Sequence, residues 1–152
     1  MTNKVYNTLM RYFFMRFNNQ HSAVGFHILR IGLAITFLWI GILILKQPEA
    51  WGGYLKPWAA KLLPIPLSQA MLGTAILDIS VGFLLLINSF TWLVALIGAL
   101  HLGVILVTSG ITDITVRDIA ILAAAVTVTI ESLPESLFNR IPLWKKRGNG
   151  NK

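Results

Sequence analysis

The chain has 152 residues, of which 55% are hydrophobic and only 12% charged, a balance too apolar for a water-soluble domain of this length and suited to one integral membrane domain. Its formal charge of +7 does not point to nucleic acid, because the basic residues gather at the two ends beside apolar segments, where anionic lipid heads are the fitting partner. The lack of cysteine excludes disulfides, thiol redox chemistry, iron–sulfur clusters and thiolate zinc sites.

Residues 1–22 come first. In Lys4–Phe17 the apolar Val5, Tyr6, Leu9, Met10, Phe13 and Phe17 recur at three- and four-residue steps, with Lys4, Asn7, Thr8 and Arg11 mostly opposite. This pattern predicts an amphipathic helix lying in the bilayer surface. The apolar run that begins near Ala23 and ends at Leu45 is followed by Lys46-Gln47-Pro48-Glu49 and has no small-residue cleavage pattern. It reads as an anchor that stays, not as a removable signal peptide.

Within a transmembrane domain of residues 23–133, four segments are expected to cross: Phe26–Leu45, Leu67–Ile87, Phe90–Val107 and Ile114–Leu133. Each must be helical, because amides in hydrocarbon have no water to bond. Only Asn88 and Ser89 separate the second and third, which makes them a tight antiparallel hairpin. The fold class is therefore all-α, an integral membrane four-helix bundle with an N-terminal interfacial helix. The loop Gln47–Pro66 carries Trp51, Tyr54, Trp58 and four prolines and is expected to rest at the outer interface as a partly ordered cap. Residues 134–152 form a basic tail. Lys4, Arg11 and Arg16 before the first span, and Arg140, Lys145, Lys146, Arg147 and Lys152 after the last, place both termini in the cytoplasm of an inner-membrane protein.

Asp78 falls near the middle of the second span, where a carboxylate costs roughly 2.5–3.5 kcal/mol on insertion scales and so must face protein or a watery cavity. Counting along alternating helices at 1.5 Å per residue puts Arg30 roughly 6 Å, Asp78 about 13 Å and His101 about 16 Å from the cytoplasmic edge. Gly82 follows Asp78 by four, Gly98 precedes His101 by three, and Ala120 and Ala124 sit one turn apart, so close helix approach should bring the polar faces together. An intramembrane cluster of Arg30, Asp78 and His101 is the resulting expectation. An assembly-fixing pair and a site for protons, solutes or a quinone are both open roles for it, and outward snorkelling is an equal alternative for Arg30. Thr115 and Asp118 have capping-box spacing with Asp in place of Glu. The sharper reading makes Arg117 and Asp118 a charged outer vestibule under the aromatic loop of Trp51, Tyr54 and Trp58. Glu131 is expected to face interfacial water.

No phosphate loop, nucleophile elbow or metal-ligand spacing is present in the sequence, and His27 and His101 differ by roughly 15 Å in depth, so one haem iron cannot take both. No catalytic residue or resident metal is assigned, and an autonomous enzyme is not expected.

The run Leu29-Arg30-Ile31-Gly32-Leu33-Ala34-Ile35-Thr36-Phe37-Leu38-Trp39-Ile40-Gly41-Ile42-Leu43, the loop elements Pro48-Glu49-Ala50-Trp51 and Pro57-Trp58, the Gly73 to Gly82 stretch with its acid, and Val116-Arg117-Asp118-Ile119-Ala120-Ile121-Leu122 resemble DoxX-like membrane proteins over about Gly25 to Glu131. Members often carry Lys-Phe after the first-span glycine and Glu in the second span, where this chain has Ile44-Leu45-Lys46 and Asp78. The resemblance implies a four-helix inner-membrane protein, sometimes tied to quinone-linked sulfur oxidation or oxidative-stress systems. The expected function is a non-catalytic or accessory subunit of a redox or stress-response system. The alternatives are a small-solute or proton-coupled transporter and a quinone-interacting subunit of a membrane oxidoreductase. The expected partners are the bilayer and either a second copy or a membrane redox protein; no cofactor is expected to be bound covalently or by a clear motif, a quinone being the one candidate.

Overall fold

The computed structural model describes residues 2–138, with side chains placed for 23–137. All seven elements are helices: α1 (Thr2–Lys46), α2 (Pro48–Gly52), α3 (Pro57–Lys61), α4 (Leu67–Leu86), α5 (Thr91–Ser109), α6 (Val116–Glu131) and α7 (Glu135–Phe138). There is no strand among the described residues. Three helices are long and apolar enough to cross a membrane, Ala23–Lys46 of α1, α4 and α5, which is compatible with a multi-pass membrane protein.

Two sequence expectations need amendment. Residues 4–17 are helical but are the opening turns of α1, with no separate N-terminal helix; the side chains that would form the amphipathic face lie outside the described ones. The basic tail from residue 139 onward also lies outside the described residues. The predicted span Ile114–Leu133 contains a helix of only 16 residues, about 24 Å long against the roughly 30 Å of a hydrocarbon layer. Local chemistry shortens it at both ends. Thr115 Oγ1 donates to the Gly110 carbonyl at 2.5 Å and accepts from the Thr112 amide at 2.7 Å, which holds 110–115 in a turn. At the other end Pro134 pushes the chain before it out of helical geometry.

α1 packs along α4 and α5 along α6, and the two pairs meet more sparingly through α4–α5 and α1–α6. Glycine makes the first pairing close. A Cβ on Gly82 would lie 2.7 Å from the Ala34 carbonyl oxygen and the Leu38 amide nitrogen, and one on Gly41 would lie 2.7 Å from Ile79. The helix backbones touch there, as small-residue contacts allow. In α6 the buried alanine is Ala125, while Ala120 is exposed and Ala124 only half-buried, so this helix is rotated from the expected face. Leu33, Phe37, Val81, Leu85, Val94, Leu102, Ala125 and Val128, drawn from all four long helices, form the main core. The outer surfaces are equally apolar. On α5, Leu93, Ile97, Leu100, Val104 and Val107 recur at three- and four-residue steps and are all exposed. A helix apolar all round belongs in lipid or a large core.

The α4–α5 connection is as tight as expected. Asn88 and Phe90 take positive φ angles of 59° and 47°, and the Thr91 hydroxyl donates to Asn88 Oδ1 at 2.9 Å. The loop between α1 and α4 holds the short helices α2 and α3, each opened by proline, whose fixed φ and missing N–H suit a first turn. Gly52 lies against Leu67, and the Lys56 amide donates to the Thr108 carbonyl at 2.9 Å. The loop is thereby tied to both α4 and α5 and lids one end of the helices.

Gly82→Ala is expected to cost about 2 kcal/mol, because the new methyl meets backbone that cannot swing aside. Gly73→Ala, at a glycine where a methyl would have no neighbouring atom within 4 Å, should leave stability equal or higher. Thermal melts by circular dichroism in detergent check the pair, and equal effects at the two glycines would count against the α1–α4 contact.

Candidate functional site

Asp78 is 2% exposed. It faces inward because it shares a helix face with Ala75, Gly82 and Leu85, all buried. Its partner comes from α5. A Cβ on Gly98 would stand 2.9 Å from the Phe37 ring and 3.2 Å from Val81, so α5 comes close to α1 and α4 one turn before His101. His101 Nε2 then lies 3.4 Å from Asp78 Oδ1. The separation suits an ion pair, but neither atom has a hydrogen-bond partner among the described groups. Buried polar atoms are rarely left so, at about 1–3 kcal/mol each. The pair has bonding capacity to give.

Arg30 is not in this cluster, contrary to expectation. Its guanidinium donates from Nη1 to the Leu85 carbonyl and, at 3.1 Å, to the Leu86 carbonyl. These groups belong to the last turn of α4, about 10 Å along the helix from Asp78. Final-turn carbonyls have no partner within their own helix, and the negative end of the helix dipole attracts a cation. With Arg30 only 7% exposed, outward snorkelling is also ruled out. Arg30 closes the end of α4 across the α1–α4 interface.

Above the Asp78–His101 pair lies a cavity of about 700 Å³ between the halves of α1, α4, α5 and α6 nearest the loop of α2 and α3. Asp78 and His101 sit at its inner end, Trp51, Tyr54, Leu55 and Leu63 of the loop cover it, and Arg117 and Asp118 line its α6 side. The rest of its wall is mostly aliphatic, with Thr74, Thr108, Ser109 and Thr115 adding hydroxyls. Trp51 and Tyr54 meet edge-on with ring centres 6.1 Å apart. Trp58, grouped with them on sequence grounds, does not reach the cavity and is 48% exposed.

Asp118 is not part of a capping box. Thr115 has helical dihedrals and makes no side-chain cap bond, because its hydroxyl is engaged with Thr112 and Gly110. The carboxylate of Asp118 is thereby left to line the cavity. Arg117 is exposed, with Nε 3.4 Å from the Ile114 carbonyl. Glu131 is exposed and away from the site. Sequence reasoning missed Thr74 and Trp39 as wall residues. Thr74 precedes Asp78 by four and so shares its face, a signal that was readable. Trp39 entered only as part of the apolar run of the first span, and nothing in its position set it apart as a wall residue.

Among the described residues no group of three potential ligands is placed to hold a metal ion. A mainly apolar chamber with a few polar groups is instead the usual form of a small-molecule site. No family model, curated protein or solved structure matches the chain.

Arg30→Met keeps an apolar stem but removes the guanidinium bonds to α4, leaving the Leu85 carbonyl with the Asn88 amide, 3.2 Å away, and the Leu86 carbonyl without the arginine, an expected loss of about 1–3 kcal/mol. Hydrogen exchange should quicken around residues 84–90 while the imidazole NMR signals of His101 stay in place. A displaced His101 signal with an unchanged turn would instead return Arg30 to the Asp78 cluster.

Proposed function

We propose that this chain is a DoxX-like, multi-pass inner-membrane protein, a four-helix bundle in which the 16-residue α6 makes the fourth crossing together with the turns at its two ends, so that both termini are cytoplasmic. On this reading it serves a redox or stress-response system as an accessory subunit that binds a quinone head group in the cavity, while a membrane partner carries the electrons. The observation that supports the reading best is the Asp78–His101 pair, in contact but without a completed hydrogen bond, at the inner end of a largely apolar cavity. A quinone offers carbonyl oxygens that can accept from the His101 ring N–H, and its reduced form offers hydroxyls that can donate to Asp78. Both would be bonds in a low-dielectric site, where they count for more than in water. The basic residues before the first and after the last apolar run support the orientation. A transport pathway draws less support, because Leu33, Phe37, Leu85 and Val128 pack the inner half beneath the pair.

Photoaffinity labelling tests this with an azidoquinone, the protein being held in lipid nanodiscs. Adducts should map to peptides containing Thr74, His101 or Arg117. Asp78→Leu and His101→Phe, which fill the space without polar atoms, should each weaken capture about ten-fold, equivalent to about 1.4 kcal/mol, with helical content unchanged. Undiminished capture by both folded variants, or no adduct on the unmodified protein, would sink the reading.

A further inference from the structure

Asp118 is a carboxylate that neither the fold nor the quinone reading uses. It is half-buried and lines the cavity, and it is free of any capping role because the Thr115 hydroxyl is engaged with Thr112 and Gly110. No cation pairs with it, the Asp78–His101 contact being the one salt bridge among the described residues. Arg117 is no substitute. Consecutive helical side chains point about 100° apart and do not face each other, and Arg117 is exposed, with Nε turned to the Ile114 carbonyl. Lys56 of the loop packs on Gly110 and is not part of the wall. A carboxylate facing a mainly apolar space without a cation carries a desolvation cost that a positively charged occupant would offset.

The surroundings give that occupant its chemistry. Asp118 lies near enough to Asp78 for its charge to be felt there. Asp78, 2% exposed, keeps Oδ1 without a hydrogen-bond partner at the inner end of the same cavity. Trp39, Trp51 and Tyr54 also border the space, and aromatic faces attract cations. A bare metal ion needs several ligands at about 2.0–2.6 Å, and no three potential ligands converge among the described residues. The wall suits a nitrogen that carries its charge inside its own covalent shell.

We propose that the cavity binds an amphipathic organic amine in its protonated form, with the ammonium between Asp118 and Asp78 and the apolar body against Trp51 and Tyr54. The amine is a second class of ligand for the cavity, beyond the quinone proposed above. Its N–H supplies the donor that Asp78 Oδ1 lacks, as a charge-assisted bond. A quinone, which brings no positive charge, leaves Asp118 unanswered.

Equilibrium dialysis tests the proposal with the protein in phosphatidylcholine nanodiscs, empty nanodiscs correcting for uptake by lipid. The probes are N,N-dimethylbenzylamine, protonated at neutral pH, and isobutylbenzene, its uncharged carbon counterpart. Saturable binding of the amine is expected, about ten-fold tighter than that of the hydrocarbon. It should fall about ten-fold in Asp118→Asn and recover in Asp118→Glu, with helical content by circular dichroism unchanged in both. Equal affinity for the two probes, a comparison that needs no variant, would show a pocket that does not read charge and would overturn the assignment. Undiminished amine binding by folded Asp118→Asn would overturn it as well. Absence of saturable amine uptake by the unmodified protein would also overturn it, and since no quinone enters the measurement, the quinone reading would still be judged by the azidoquinone labelling alone.

Discussion

A carboxylic acid midway along an apolar helix has to be accommodated by something other than lipid, and that requirement organises the molecule around Asp78. The side chain is buried to 2% exposure and is met by His101 from the next helix in the chain. That meeting depends on two close approaches. Gly82 lets α4 reach the backbone of α1, and Gly98 lets α5 reach Phe37 and Val81. A side chain at either glycine would push the helices apart and separate the pair. The cavity above the pair follows from the same packing, because α1–α4 and α5–α6 associate closely while the contacts between the pairs are sparser.

The buried polar groups divide by what they bond. Arg30 is committed to the backbone carbonyls of Leu85 and Leu86, so its charge serves the end of a helix. Asp78 and His101 touch each other without completing a hydrogen bond, so their capacity is not used up by the fold. A cation at a helix C-terminus is explained by helix electrostatics alone. The acid and imidazole also hold each other at 3.4 Å at the end of a cavity, and ligand binding is the further use proposed for them.

The three longest apolar helices, Ala23–Lys46 of α1, α4 and α5, were legible because long apolar runs and the Asn88-Ser89 break leave little choice. The levelling of Asp78 with His101 followed from rise per residue and the hairpin between them. The partner of Arg30 was not legible, since backbone carbonyls at a helix end belong to no residue type and do not enter an inventory of side chains. Rotation was the other obscured quantity. One residue turns a helix by 100°, which separates the exposed Ala120 and half-buried Ala124 from the fully buried Ala125. Thr115 had the right neighbour for a capping box, yet the tight turn with Gly110 and Thr112 engaged its hydroxyl first. The cavity was hidden for a related reason: it arises from how two helix pairs diverge, not from any residue in them.

The account as a whole depends on the acid and the imidazole being in contact inside the membrane-embedded protein. Solid-state NMR in lipid bilayers, with carbon-labelled aspartate and nitrogen-labelled histidine, measures this through dipolar recoupling between the Asp78 side-chain carbon and His101 Nε2. A strong coupling is predicted, consistent with the 3.4 Å oxygen-to-nitrogen separation, and it should vanish in His101→Phe. Absence of that coupling in the unmodified protein would show that Asp78 finds another partner and would contradict the site described above.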